Sequence, residues 1–274
     1  MNLCPLCESH LDDVPLFSEL PRVTSDCRPW PAGGSLSSCG SCGGIAKPLN
    51  AEFLASAASI YAGYAPYAQG AGNEQRVFSE SGTSDVRSKR LADFLAGHMR
   101  IPSSGTLVDF GCGSGVFIRE FLARNPNWSA VGVDSAMHLA DAVNAIPRAV
   151  FVGRLDEALG MLTVDRRVVV SMIHSLEHVE SPRQTLSDIS ATFPNATLLV
   201  QVPDARMNPF DIVVADHRMH FTRDSLDELL GSVFGPQSSR VIEGLVAKEL
   251  TAVVAPGLGA QMGRGGSALT SRIG

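Results

Sequence analysis

The chain lacks any block of lysine or arginine, and its formal net charge over 274 residues is −6. A broad nucleic-acid-binding face is therefore not expected. It also lacks a long apolar run. The longest, from Phe53 to Ala68, is interrupted by Gly63 and Pro66 and carries Tyr61, Tyr64 and Tyr67, so it is too short and broken for a membrane span. The opening Met1-Asn2-Leu3-Cys4-Pro5 has neither the basic start nor the apolar core of a secretion signal, and a cytoplasmic location is expected. There is no internal repeat. What is present is a composition of 45% hydrophobic and 18% charged residues, which suits a packed core rather than a disordered chain. At this length one sizeable domain and a small one are expected.

Five of the six cysteines fall in the first 42 residues, and Cys112 stands apart. In a reducing compartment, paired cysteines point to metal before disulfide. Cys4-Pro5-Leu6-Cys7 and Cys39-Gly40-Ser41-Cys42 are two such pairs. Four thiolates complete a closed tetrahedral zinc site, which is structural because no position is left for water. Cys27, inside the intervening loop, is expected to be a spare. Residues 1–48 are rich in Cys, Pro, Gly and Ser, bury little apolar surface, and need such a staple. Residues 49–100 read as a helical connector or lid, with helices over Ala51–Ala62 and Asp85–His98. Residues 256–274, rich in Gly, Ser and Ala, read as a flexible tail.

From Thr106 the pattern alternates. Strand-like runs at Leu107–Phe110, Ala130–Val133, Val150–Val152, Arg167–Ser171 and Thr197–Val202 are separated by helical segments. Val241–Ile242 and Leu250–Val254 suggest a closing hairpin. The expected fold of residues 101–255 is α/β, a mostly parallel Rossmann-like sheet with helices on both faces.

Gly111-Cys112-Gly113-Ser114-Gly115 follows the first strand and opens a helix. Glycines there permit a tight turn and close approach of a ligand, and the helix start offers free amides. Asp109 precedes the loop, and Asp134 ends the next strand, placed to accept hydrogen bonds from ribose hydroxyls. Val116 stands where a dinucleotide fingerprint has its third glycine, which favours an adenosine ligand without a pyrophosphate. The stretch Leu107–Ala136, with Val-Asp-Phe-Gly-Cys-Gly-Ser-Gly and Val-Gly-Val-Asp-Ser, resembles the class I methyltransferases. The resemblance implies S-adenosyl-L-methionine as cofactor, its methionine end on Asp109 and the loop glycines Gly111, Gly113 and Gly115, its ribose on Asp134 beside Ser135, and its adenine near Asp156. Cys112 reads as a small filler within that loop.

Two histidine segments follow later strands. Ser171–Val179 contains His174, Glu177 and His178, and lies beyond a strand end where ligands of open α/β sheets sit. His178 is a candidate for lining the active site and moving a proton. His174 is a candidate for the cofactor pocket with a mainly structural part. Asp216-His217-Arg218-Met219-His220 follows the fifth strand, with Thr222 as the cap of a helix near Asp224.

The cysteine pairs ahead of such a domain make the chain resemble the nucleotide-deoxysugar C-methyltransferases, over most of residues 1–255. That resemblance implies His217 as the proton-abstracting base, Asp216 as its partner acid, and connector tyrosines over the substrate. The sequence departs from the family in two places: Asp stands where Glu is usual, and the chain ends soon after the core, where the family continues into a second Rossmann-like domain. The expected activity is S-adenosylmethionine-dependent methylation of a small molecule, with a nucleotide-linked keto sugar as the implied acceptor. A zinc-containing RNA base methyltransferase, which the Cys-Pro-Leu-Cys start also resembles, and a non-catalytic binding protein of this fold are the alternatives.

Overall fold

The computed structural model describes residues 3–66, 74, 76–78, 82, 84–99, 101–162 and 167–256. Tyr67 and the tail beyond Pro256 lie outside them. The N-terminal segment forms five two-residue strands: β1 (Asp12–Asp13), β2 (Arg22–Val23), β3 (Pro29–Trp30), β4 (Ser37–Ser38) and β5 (Ile45–Ala46). Helix α1 (Ala51–Ala62) follows, started by Asn50, whose side chain accepts from the Phe53 amide. A ribbon of β6 (Arg76–Phe78) and β7 (Ser84–Val86) leads into α2 (Arg87–His98).

The main sheet then builds as β8 (Gly105–Phe110), α3 (Val116–Arg124), β9 (Trp128–Val133), α4 (Ala140–Asn144), β10 (Ala149–Val152), α5 (Leu155–Met161), β11 (Val168–Ile173), α6 (Pro182–Thr192) and β12 (Thr197–Pro203). Strand β13 (Met219–His220), α7 (Arg223–Phe234), β14 (Ser239–Glu243) and β15 (Glu249–Val254) complete the chain. The sheet order is β10-β9-β8-β11-β12-β15-β14. The first five run parallel, while β15 pairs antiparallel with both β12 and β14.

These strands are apolar on both faces because helices cover both. Leu107, Val169 and Leu199 pack with α2 and α3 through Leu91, Leu95, Ile118 and Phe121. Their chain neighbours Val108, Val170 and Val200 point the other way, toward Leu186 of α6 and Leu226, Leu229 and Leu230 of α7. The strand order reverses between β8 and β11, so a crevice opens at the carboxyl ends of those strands.

The cysteine-bearing segment is sewn to this second face. Strand β13, which belongs to the chain beyond the fifth parallel strand, pairs antiparallel with β5 and completes a four-stranded sheet with β1 and β4. Leu6 is fully buried within the core that includes α6 and α7, and Arg183 of α6 donates to the Leu6 carbonyl. The Val23 carbonyl accepts from the Ala215 amide at 2.7 Å.

Candidate active site and cysteine cluster

The loop after β8 is shaped by backbone that few residues other than glycine adopt. Gly111, Gly113 and Gly115 have φ of 76°, 51° and 76°. A Cβ on Gly111 would fall 2.4 Å from Ser175 Cβ, and one on Gly115 would fall 2.6 Å from Ile146 Cδ1. A Cβ on Gly113 would meet nothing nearer than 4.0 Å, so packing closes the loop at its ends and leaves the middle open to the crevice. Cys112 is buried, and a Cβ on Gly132 would lie 2.8 Å from its sulfur. The thiol fills space beneath the loop, and burial holds it far above the usual range.

Asp134 ends β9 and ties the turn together: Oδ2 accepts from the Gly113 amide and Oδ1 from the Ala136 amide, both at 2.9 Å. Asp109 is buried and accepts from Ser171 Oγ at 2.6 Å. Burial pushes its carboxyl up to about 7. Asp109, Gly111, Cys112, Gly113, Asp134, Ser135 and Asp156 all line one cavity of about 820 Å³, together with His174, His178 and His217. Gly115 does not line it and acts as the start of α3. Asp156 sits at the exposed rim, paired with Arg154 at 2.8 Å.

The histidines occupy the opposite half of the cavity. His174 is held in a left-handed backbone conformation, φ 52°. Its ring lies between Glu177 Oε1 at 3.3 Å and Glu249 Oε1 at 3.2 Å. Burial opposes its charge, but the two carboxylates outweigh it and hold the imidazole up to about 9. Arg87 extends this chain of charges through Glu249 at 2.8 Å. His174 is thus a half-buried ion-pair bridge at the cavity wall.

His178 and His217 meet edge to face with ring centroids 4.7 Å apart, and Tyr61 meets His178 edge-on with centroids 5.9 Å apart. Tyr64 also lines the cavity. The acid beside His217 is not the one that chain adjacency suggests. Asp216 does not line the cavity; its carboxylate accepts from the Ser25 amide at 2.9 Å and from Ser25 Oγ at 2.5 Å, and its Oδ2 lies 3.6 Å from His178 Nδ1. Consecutive side chains here diverge, and the loop from Ser25 captures Asp216. Asp211, six residues earlier, bonds His217 Nδ1 at 2.8 Å and His220 Nδ1 at 2.6 Å. Burial works against a charged His217, and Asp211 more than compensates, so its titration moves above the ordinary 6.5. Asp211 lies in a short 3-10 turn, Pro209–Val213, with no motif around it, and sequence reading passed over it.

The four paired cysteines converge. Cys4 and Cys42 sulfurs are 3.7 Å apart and Cys7 and Cys39 3.5 Å apart, with all four within 4.8 Å of one another. Both turns have the same wiring. The Glu8 and Gly43 amides donate to the Cys4 and Cys39 carbonyls at 2.9 Å, and both donors are left-handed, φ 64° and 72°. Sulfurs at such spacing match the edges of a tetrahedron with metal–sulfur bonds of about 2.3 Å. The donor set therefore fits a zinc ion. Cys27, exposed and with φ 65°, is not part of the cluster and lines the cavity instead.

A family model described as a methyltransferase domain matches residues 84–234, more than half of the chain. The chain belongs to the methyltransferase-domain family. No curated protein matches it in sequence. Among solved structures, the plantazolicin methyltransferase BamL, in complex with a triazolic desmethylPZN analog and SAH, is 13% identical with a TM-score of 0.49 over 61% of this chain and 82% of that one. CalO1, a methyltransferase in calicheamicin biosynthesis in its SAH-bound form, is 21% identical with a TM-score of 0.45 over 61% and 54%. RosA from Streptomyces davawensis, an N,N-8-amino-8-demethyl-D-riboflavin dimethyltransferase, is 19% identical with a TM-score of 0.43 over 60% and 53%. The chain spans about half the length of the last two. Among the described residues, no helix of this methyltransferase-domain protein is long and apolar enough to cross a membrane.

Proposed function

We propose that this protein binds S-adenosyl-L-methionine at the carboxyl ends of β8 and β9 and methylates a small molecule held in the same cavity. The observation that carries the reading is one continuous cavity. Its first half is the Gly111–Gly115 loop with Asp109 and Asp134, and its second half presents His217 backed by Asp211. Asp109 and the loop amides face the methionine end, Asp134 the ribose, and the Gly153–Asp156 rim the adenine. Bound S-adenosylmethionine would supply an electrophilic methyl group.

His217 acts as general base. Its Nδ1 proton is fixed on Asp211, which leaves Nε2 to take the acceptor's proton while the acceptor's electron pair forms the new bond to the methyl carbon. The electron pair of the broken bond would remain on the sulfur of the bound cofactor. Tyr61 and His178 orient the acceptor against the base, and positioning of this kind contributes most of the rate. A carbon acid beside a ketone, as in a keto sugar, is the acceptor the resemblance of the N-terminal segment supports. The acceptor half carries the carboxylates of Asp26, Glu177 and Asp211. Each is paired, Asp26 with Arg28, Glu177 with His174 and Asp211 with His217 and His220, so this half suits a neutral polar group such as a sugar ring. The net charge of −6 and the lack of a basic block argue against an RNA strand. Zinc on Cys4, Cys7, Cys39 and Cys42 has a structural part, fixing the segment that contributes Val23–Cys27 to the cavity wall.

The test is incubation of metabolite extracts with the protein and isotopically labelled S-adenosylmethionine, followed by mass spectrometry. A labelled small-molecule product that His217→Ala fails to make supports the reading. Label found only in RNA, or a product made equally well by the variant, would overturn it.

A further inference from the structure

Lys47 is a charged side chain with only 2% of its surface exposed, among the largest fully buried side chains of the fold. It leaves strand β5 directly, and its backbone continues the pairing with β13: the Lys47 amide donates to the Arg218 carbonyl at 2.9 Å, and Arg218 Nη1 donates to the Lys47 carbonyl. Its ammonium is surrounded by three acceptors: the Val214 carbonyl at 2.7 Å, the His217 carbonyl at 2.9 Å and His220 Nε2 at 2.8 Å. An ammonium has three protons and no lone pair, so the arrangement is saturated and leaves His220 Nε2 only as an acceptor.

The consequence runs along the chain. With Nε2 accepting, the one proton of His220 sits on Nδ1 and is donated to Asp211 Oδ2 at 2.6 Å. Asp211 Oδ1 then remains for His217 at 2.8 Å. Two imidazoles share one carboxylate, and its charge favours the protonated form of each. We infer that Lys47, supplied by the cysteine-bearing segment, holds His220 neutral and so reserves the Asp211 charge for His217. Lys47 is thereby a positioning residue for the base, an inference that rests on the reading of His217 given above.

The surroundings agree. Burial first, then the Lys47 charge, bring His220 down to about 3, against the pull of Asp211. His217 also faces Glu177 and Asp216, which add to Asp211 in raising it, while His178 sits against its ring. Lys47 itself faces Asp211 and Asp216 as opposite charges and Arg22 and Arg218 as like ones, and burial brings it down to about 7. The arrangement is therefore intact on the acid side of neutrality.

The experiment is nitrogen-15 spectroscopy of the full, metal-loaded chain labelled at histidine, with His217→Gln and His220→Gln used to assign signals. It needs no knowledge of the acceptor. In the unmodified protein, between about pH 5 and 7, His220 should stay neutral with its proton on Nδ1, and His217 should titrate with a midpoint above the usual ~6.5. In Lys47→Met, which keeps the apolar stem, His220 should take up a proton in that range and the His217 midpoint should fall. A His220 that is protonated, or that carries its proton on Nε2, in the unmodified protein would overturn the inference without any variant. A Lys47→Met protein with both histidines unchanged would overturn it too. If turnover instead survives His217→Ala, the base assignment fails while the spectroscopic result stands.

Discussion

At the scale of single residues, the account turns on which groups hold a proton. His217 is an effective base only when its Nε2 is free, and Asp211 lifts its titration above 6.5. The direction of the pH dependence follows. Activity is full where His217 is neutral and falls as pH drops through its raised midpoint. The acid limb of the kcat/KM profile should therefore lie above pH 6.5, the usual value for this side chain. Asp211→Asn removes the charge that raises His217, so the acid limb should move down, with a loss in kcat of about 10²-fold or more from the misheld imidazole. An unchanged profile in that variant would show that Asp211 does not serve His217. Asp216→Asn should move the limb down less than Asp211→Asn does, because Asp216 bonds Ser25 and acts on His217 only through space. The residues that could be recognised from sequence were those in a local pattern, such as Asp109, the loop glycines and Asp134. Asp211 and Lys47 could not be recognised that way. Each acts through partners brought close by folding, with Lys47 reaching His220 across 173 positions.

At the scale of elements, the helix and strand periods of the sequence were sufficient for the sheet. Val116–Arg124 and Pro182–Thr192 have the bounds their flanking turns and apolar spacing indicate. The helix Leu155–Met161 was not legible, because its Gly160 and its Asp-Glu start resemble a loop. The expected helix from Asp85 begins at Arg87, since Ser84–Val86 pair with β6. Helix α7 runs Arg223–Phe234 from the expected Thr222 cap, a capping box in which Thr222 and Ser225 exchange hydrogen bonds. Thr222→Ala removes the acceptor for the Ser225 amide and should cost about 1 kcal/mol of stability by denaturant unfolding. No change would show that the packing of α7 suffices without the cap. The cysteine turns belong to this scale as well. Cys42→Ser should release bound zinc, read by a chromogenic chelator, and lower the melting temperature. Equal metal content in variant and unmodified protein would remove zinc from this site.

At the scale of the whole molecule, the N-terminal segment and the sheet domain share structure instead of lying side by side. A strand from one completes the sheet of the other, Val23–Cys27 form part of the cavity wall, and Lys47 penetrates beneath the histidines. The change in composition near residue 48 indicates a boundary there. It could not show that strand β13 crosses that boundary, since a two-residue strand has no period to read. The central claim concerns the cavity, and the most direct test of it is a calorimetric titration of S-adenosylmethionine and S-adenosylhomocysteine into metal-loaded protein, repeated with Asp134→Ala. The account predicts one molecule bound per chain, weakened about tenfold to a hundredfold when the Asp134 hydrogen bonds to the ribose are lost. No binding to the unmodified protein, or equal affinity in the variant, would contradict it.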